Sequence, residues 1–548
     1  MAPKRIIRQL TTGTHDFPGL VQDEESKYVD KTGLLFELAR RRKDAQYFIS
    51  RPRRFGKSLM LSTLQAMFEG RRELFKGLAI DKEDWECWDA KKRYPVYNFT
   101  MASVNGMTFG EVQSALAGLV GSFCDSVGRP YEQDKGVAYN FDSFLKAAAA
   151  KSTTGKIVVL IDEYDEPVAK FLDDIATLHK VRALLHDFYE KLKTNSDVVR
   201  FLMMTGVTKL TKLSVFSGLT HLTDLSGDPR FATLLGYTRE EIGGALRENV
   251  EGLAERLGTD FESTEAKILE WFDGYRFSPR SEDRVVNPVS LGKLFAPGGG
   301  AFKSYWETTG GSSLVFNRIK KAGKLPEDLE HVPADPMTLD VCDALTLPVE
   351  SLLYQSGYLT IKEVIPAPEQ TPEEAEADPK TETYILGPPN LEIKASLKRG
   401  FLSQVLGMKE SLFDTLVDRA KRQIAAGDVK SLLYESLFGL YGAIPPDWQI
   451  RDEAEAKRYF QLFMRMLGAK VQAEQTSVRG YADAIVETKK GVYVFEFKFN
   501  KSAKAAIRQI REKGYADAYK ADKRPVTLIG INFSARKRNI DEPLIEQL

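Results

Sequence analysis

Three short runs in this chain place hydroxyl, ammonium and carboxylate side chains at spacings that perform phosphate chemistry. The first is Y-F-I-S-R-P-R-R-F-G-K-S-L-M, from Tyr47 to Met60. A loop that ends in Gly-Lys-Ser and opens a helix can hold phosphate oxygens on its backbone N–H groups, here those of Arg53, Arg54, Phe55, Gly56, Lys57, Ser58 and Leu59. Lys57 would neutralise the β and γ phosphates, and the Ser58 hydroxyl would ligate Mg²⁺. The phosphate-loop pattern G-x-x-x-x-G-K-[ST] asks for glycine where this chain has Arg51. Glycine lets the backbone turn close to the phosphates, whereas arginine restricts the turn and adds charge. Taken alone, the stretch also reads as a basic surface turn before a helix.

The second run, K-I-V-V-L-I-D-E-Y-D-E-P, lies about a hundred residues downstream, from Lys156 to Pro167. Five apolar residues in a row describe a strand buried on both faces, as in a parallel sheet. It ends in two carboxylates, at the edge where such sheets bind ligands. Asp162 would hold Mg²⁺ through water and Glu163 would polarise the attacking water. Asp165 and Glu166 read as local caps, with further metal ligands as the alternative. A further apolar run, Val199 to Gly206, ends in Thr205, a candidate sensor of the γ phosphate against the plainer reading of a strand-ending turn.

The third run is C-terminal: R-G-Y-A-D-A-I-V followed by G-V-Y-V-F-E-F-K-F. Strand alternation puts Glu496 and Lys498 on the same face, and Asp483 heads the neighbouring strand. Asp483 and Glu496 would bind Mg²⁺, and Lys498 would orient or deprotonate water and stabilise the phosphorane charge, the arrangement of a metal-dependent nuclease. The rival reading of Glu-x-Lys is a solvated charge pair. Glu455, on the preceding helix, is a candidate further carboxylate. Lys498, Lys501, Lys504, Arg508, Arg511 and Lys513 form a local basic region that could follow a phosphate backbone, or a solvated helix face.

Several elements must position these groups. A helix over 32–41 precedes the first strand, capped by Asp30 or Thr32. Phe17 and Tyr28 read as core aromatics, with packing on a nucleotide base as the alternative. Helices are expected over 106–150 and 177–196, then over 240–257 and 262–273, with Asn287-Pro288 opening another. Leu352–Val364 and Glu382–Leu386 read as a hairpin. The acidic, proline-bearing insert between them is expected to be disordered. Beyond 391 the pattern is helical to 444, then Glu453–Leu467 is an amphipathic helix, Val471–Glu474 a strand and Ala505–Tyr519 a helix.

The 548 residues leave room for three or four domains. Lysine plus arginine and aspartate plus glutamate each number 77, so no global field selects a polyanion, and any nucleic-acid surface must be local. Cys87, Cys124 and Cys342 lie far apart, which argues against a disulfide scaffold or a thiolate zinc site. No apolar run has the length to span a bilayer, and the basic N-terminus has no signal-type apolar core. An intracellular, cytoplasmic protein without membrane contact is expected, with the nucleus open to it in a eukaryote; oligomeric state is left open.

In order, the chain reads Y-V-D-K-T, S-R-P-R-R-F-G-K-S, P-V-Y-N-F, L-I-D-E-Y-D, T-G-V-T-K-L-T-K-L-S-V-F-S-G-L-T-H-L-T-D-L, G-Y-R-F, Y-Q-S-G-Y-L. It resembles the AAA-ATPase-like family that carries a C-terminal PD-(D/E)XK nuclease-superfamily domain, and the resemblance covers nearly the whole chain. R-P-R-R-F-G-K-S is typical of that family, so Arg51 does not argue against membership. The resemblance implies an α/β fold: an additional-strand P-loop NTPase core of the AAA or STAND kind (1–225), a helical, winged-helix-like lid (226–395), a helical linker (396–448) and a restriction-endonuclease-like domain (449–548). It implies ATP and Mg²⁺ as cofactors and nucleic acid, DNA in the first instance, as partner. It also implies a role for Gln509 and Tyr515, whose spacing resembles the glutamine-and-tyrosine helix of some members. In one place the chain departs from the pattern: Tyr481 stands where the family's G-R-x-D has arginine, and Arg479 lies two residues earlier. The expected activity is therefore an ATP-regulated, Mg²⁺-dependent nuclease. The alternative is a nucleotide-dependent switch or nucleic-acid binder with an inactive nuclease fold.

Overall fold

The computed structural model describes residues 7–43, 45–172, 174–209, 222–306, 312–322, 326–340, 348–371, 380–401, 410–442, 444, 450–466, 470–472, 476–477, 480–520 and 522–548. Residues 210–221 of the threonine-rich run, the centre of the acidic insert, Glu474 and Arg479 lie outside them. The chain gathers into two compact units, Met1–Gly310 with Leu329–Ala395, and Gly311–Asp328 with Ser396–Leu548.

The first unit is built on strands β1 (Gln46–Ser50), β2 (Val96–Thr100), β3 (Ile157–Asp162), β4 (Val199–Gly206) and β5 (Thr223–Asp224). They pair in the order β2-β3-β4-β1-β5, and every pair is parallel. β3 and β4 are buried along their whole length, which is why both read as unbroken apolar runs. β4 lies between the phosphate-loop strand and the carboxylate strand, with Thr205 paired to Ile49 and Met204 to Ile161. The C-terminal ends of the three strands therefore meet at one rim.

The helix Lys57–Phe68 packs on this sheet. Helices Phe109–Ser126, Gly136–Lys151 and Ile175–Thr194 enclose an aromatic core in which Phe99 meets Phe123 at 4.3 Å and Phe141 stacks on Phe188 at 4.1 Å. Thr108 starts the first of them with a capping box closed by Glu111.

Helices Arg239–Gly243, Arg247–Leu257, Phe261–Phe272 and Pro288–Phe295 form a second core around Ile242, Leu253, Phe272 and Leu291. Asn287 caps the last of these by accepting the N–H groups of Val289 and Ser290. Strands β6 (Val332–Ala334), β7 (Thr360–Ile365) and β8 (Thr383–Gly387) make an antiparallel sheet in the order β6-β8-β7. The expected strand Leu352–Val364 is corrected: Val349–Gln355 is helical and the strand begins at Thr360. Pro348 fixes the start of that helix, and Gly357 at φ 86° turns the chain into the strand.

The second unit holds β9 (Lys470–Gln472), β10 (Thr476–Ser477), β11 (Gly480–Tyr481), β12 (Ala484–Glu487), β13 (Val492–Phe499), β14 (Val526–Ser534), β15 (Asn539–Ile540) and β16 (Leu544–Gln547). The main sheet runs β15-β14-β13-β12-β9 with β16 also on β14, while β10 and β11 pair separately. β12 and β13 are antiparallel; β13 and β14 are parallel and joined by the crossover helix Ala503–Lys513. Ile507 and Ile510 from this helix join Ile485, Val494 and Leu528 in the core. The helix stops at Gly514, φ 65°, so the expected extent to Tyr519 is corrected and Tyr515 lies past its end. Helices Ser312–Ala322, Glu410–Ala426 and Glu453–Met466 belong to the same unit. Among the described residues, no helix is long and apolar enough to cross a membrane.

Candidate functional site

In the first unit, the loop after β1 borders a cavity of about 390 Å³. Arg53 to Met60 form one wall, Glu163 another, and Tyr28, Lys31, Tyr237 and Pro288 face them. Two left-handed residues shape the loop, Arg54 at φ 66° and Gly56 at φ 93°. Gly56 turns the chain so that the helix begins at Lys57. Only glycine takes such a φ at no steric cost, so the strain falls on Arg54.

The Ser58 hydroxyl donates to Asp162 Oδ2 at 2.5 Å. Thr205 Oγ1 donates to the other oxygen, Oδ1, at 2.5 Å, and the Glu163 N–H donates to the same atom at 3.0 Å. Asp162 is thus held on both oxygens, with the Ser58 oxygen beside it, as a shared hydroxyl–carboxylate divalent site requires. Lys57 Nζ donates to the carbonyls of Arg51 and Pro52 at 2.8 and 2.9 Å. Burial pulls its pKa down to about 8, against the pull of Asp162 and Asp165. Burial, then the neighbouring Asp162 and Glu166 charges, push Glu163 up. Glu163 itself sits at φ 53°, a left-handed conformation held by the surrounding structure.

In the second unit, Lys498 Nζ donates to Glu496 Oε1 at 3.0 Å, Glu453 Oε1 at 3.1 Å and the Phe497 carbonyl at 2.6 Å. Asp483 Oδ2 accepts the Phe497 N–H at 2.8 Å, and Lys457 Nζ lies 3.1 Å from Asp483 Oδ1. Glu496 Oε2 is buried with no hydrogen-bond partner. Burial and the nearby Asp483 charge push Glu496 up to about 7, with Lys498 opposing them. Burial acts to lower Lys498, but Glu496 and Glu453 win and raise it. An orphaned carboxylate oxygen next to a second carboxylate is a donor set that a divalent cation fits. Among the described residues no three such side chains yet stand in metal-holding geometry.

Residues 11–216 match a family described as a predicted AAA-ATPase, and residues 451–543 match the PD-(D/E)XK nuclease superfamily. A protein of Azotobacter chroococcum mcd 1, described as an uncharacterized protein in the vnfD 5′ region, is 31% identical over 556 residues, spanning 99% of each chain.

The chain belongs to the AAA-ATPase-like family with a C-terminal PD-(D/E)XK nuclease-superfamily domain.

Within that family frame, each expected residue has a place. Arg53, Arg54, Phe55, Gly56, Lys57, Ser58, Leu59 and Glu163 all border the cavity. Arg53 also bonds to Glu166 at 3.1 Å. Thr205 is fully buried and is not part of the cavity lining; its contact is to Asp162. Arg51 adds no charge to the phosphate side. Its guanidinium is buried and donates to the carbonyls of Ser50, Ser226 and Phe231, with Phe277 4.1 Å beneath. Asp165 is an anchor, accepting from Val207 N–H and from the N–H and hydroxyl of Thr208. Phe17 is buried in the core on Phe75, whereas Tyr28 reaches the cavity.

Lys498 bonds to Glu496 on the same face of β13, and Asp483 is held beside that strand by the Phe497 N–H. Glu455 is corrected: it accepts the Arg451 N–H, and Glu453 is the helix carboxylate that reaches Lys498. Gln509 Nε2 donates to the Tyr515 hydroxyl at 3.3 Å, and Tyr515 is buried in the core. In the basic region, Arg511 pairs with Glu546 and Arg508 with Glu512. Sequence reading missed Lys31, Tyr237 and Pro288 at the cavity, and Glu453 and Lys457 at the second site. An acid at the first turn of Glu453–Met466, one helical turn before Lys457, was the available signal.

Proposed function

We propose that the chain is an ATP-binding and ATP-hydrolysing regulatory ATPase joined to a Mg²⁺-dependent nuclease that cleaves nucleic acid, DNA in the first instance. The observation that carries the ATPase reading is the hydrogen bond from Ser58, which lines the cavity, to Asp162 at the end of the carboxylate strand.

In the first unit, the loop N–H groups and Lys57 would bind the β and γ phosphates, and Lys57 would exchange its two carbonyl partners for phosphate oxygens. Ser58 and Asp162 are the residues that would hold Mg²⁺, which when bound supplies charge neutralisation at the phosphates. Thr205 keeps Asp162 oriented. Glu163, on the cavity wall, would accept the proton of the water attacking the γ phosphorus.

In the second unit, Asp483 and Glu496 would hold Mg²⁺, which when bound supplies Lewis-acid charge. Lys498, positioned by Glu496 and Glu453, would orient the attacking water and donate to the charge that builds on the phosphorane. Water oxygen bonds to phosphorus as the bond to the leaving sugar oxygen breaks.

One observation favours the second reading, an inactive nuclease fold. Asp483 already carries the Lys457 ammonium and the Phe497 N–H on its two oxygens. The test is paired. Lys57→Ala should lose ATP binding measured by calorimetry, and Lys498→Ala should lose Mg²⁺-dependent cleavage of duplex and single-stranded DNA. ATP affinity unchanged in the first variant, or cleavage unchanged in the second, removes the corresponding half.

A further inference from the structure

Lys457 has no part in the mechanism above, yet its ammonium lies against a carboxylate that the mechanism needs. It stands on the helix Glu453–Met466, one turn after Glu453. The two residues reach different members of the same constellation: Glu453 accepts from Lys498, and Lys457 donates to Asp483. Both side chains of the Lys457–Asp483 pair are largely withdrawn from solvent, 18% and 16% exposed.

The use of carboxylate oxygens is what matters. Asp483 Oδ2 is committed to the Phe497 N–H, and Glu496 Oε1 to Lys498. Glu496 Oε2 is buried without a hydrogen-bond partner, and Asp483 Oδ1 is the atom that Lys457 holds. A divalent ion bound through these two atoms competes with the ammonium at Oδ1. Among the described residues, the carboxyl groups of Glu453, Asp483 and Glu496 gather around the ammonium groups of Lys457 and Lys498, and carboxyl groups so close together favour a bound cation.

We infer that Lys457 is a built-in competitor for the metal position: its ammonium holds Asp483 Oδ1 in the metal-free protein and leaves when a divalent cation enters. This rests on the nuclease reading of the second unit and names the regulation of that site. Lys457 stays charged as its ammonium leaves Asp483. The consequence is a metal affinity set below what two carboxylates alone would give, raised again when an anion engages the displaced ammonium. The phosphate backbone of a nucleic acid is an anion suited to do so.

The test is calorimetric titration of Mn²⁺ into the full chain without nucleotide, with Asp483→Asn as the blank for other sites. Lys457→Met should bind about tenfold more tightly than wild type, the fold-change for loss of one competing charge-assisted hydrogen bond of about 1.4 kcal/mol. Lys457→Arg, which keeps the charge, should stay near wild type. A second readout uses wild type alone: reductive methylation with mass spectrometry should find Lys457 more reactive at saturating Mn²⁺. Equal or weaker affinity in Lys457→Met, or unchanged Lys457 reactivity at saturation, overturns the inference and leaves the metal site standing. Heats identical to the Asp483→Asn blank in every protein overturn the nuclease reading itself.

Discussion

Ser58 opens the helix behind β1 and Asp162 ends β3, two strands away, yet the Ser58 hydroxyl donates to Asp162 Oδ2 at 2.5 Å. The strand between them, β4, supplies Thr205 to the other oxygen at 2.5 Å. The intervening strand is therefore what orients the carboxylate toward the loop.

Thr205→Val keeps the volume and β-branched shape while removing that second hydroxyl. It should lower Mg²⁺-dependent ATP affinity about tenfold, the weight of a hydrogen bond of about 1.5 kcal/mol to a charged group. Calorimetry with and without Mg²⁺ checks this, and the affinity without metal should not move. An equal loss under both conditions would place Thr205 on the nucleotide itself.

Arg51 stands where the phosphate-loop pattern has glycine, and its guanidinium ties three carbonyls around β1 and the segment after β5. Burial lowers its pKa to about 10, so it remains charged at neutral pH. Arg51→Ala should destabilise the first unit by about 2–4 kcal/mol, because buried carbonyls lose their donor. Denaturant unfolding followed by calorimetry checks it. A variant as stable as wild type would contradict the stapling role.

The core of the fold was legible where its physics is local. Unbroken apolar runs marked β3 and β4, and alternation put Glu496 beside Lys498. Side-chain partnerships across distant segments were not legible. Nothing near Arg51 in sequence says that Ser226 and Phe231 offer it carbonyls, and nothing near Asp483 says that Lys457 reaches it. The expected strand takes in Leu352 to Gln355, the end of a helix, because their apolar residues adjoin a true strand, with Gly357 the turn between them. Tyr515 was placed on a helix that Gly514 ends.

Gly357 is a direct test of how the loop is supported. A Cβ there would lie 2.7 Å from Pro52 Cβ, at φ +86°. Gly357→Ala should destabilise by about 1–2 kcal/mol through backbone strain and also weaken ATP binding by shifting the loop. Gly77→Ala is the control, since Gly77 has φ +81° and nothing within 4 Å. It should show the strain alone, with ATP affinity intact. Equal ATP affinity in both variants would remove the coupling between Gly357 and the loop.

Glu392 gives the first unit a pH dependence. It is buried, accepts from the Ser290 hydroxyl at 2.8 Å and the Tyr305 N–H at 2.8 Å, and burial pushes it up to about 7. Its folded pKa lies above the ordinary carboxylate value, so the native state keeps the proton longer than the unfolded chain. Stability from this group is full below about pH 4.5 and is lost as pH rises to about 7, at no more than about 1.4 kcal/mol per unit. Thermal melts of Glu392→Gln should show a shallower loss between pH 5 and pH 7 than wild type. Parallel curves would contradict the assignment.

The most direct test of two phosphate sites in one regulated chain is the rate of DNA cleavage in Mg²⁺ as ATP is titrated. Wild type should cleave at a rate that changes with ATP, Lys57→Ala should cleave at a rate that ATP does not change, and Lys498→Ala should not cleave. Cleavage by Lys498→Ala at the wild-type rate, or an ATP response that survives Lys57→Ala, would contradict the account.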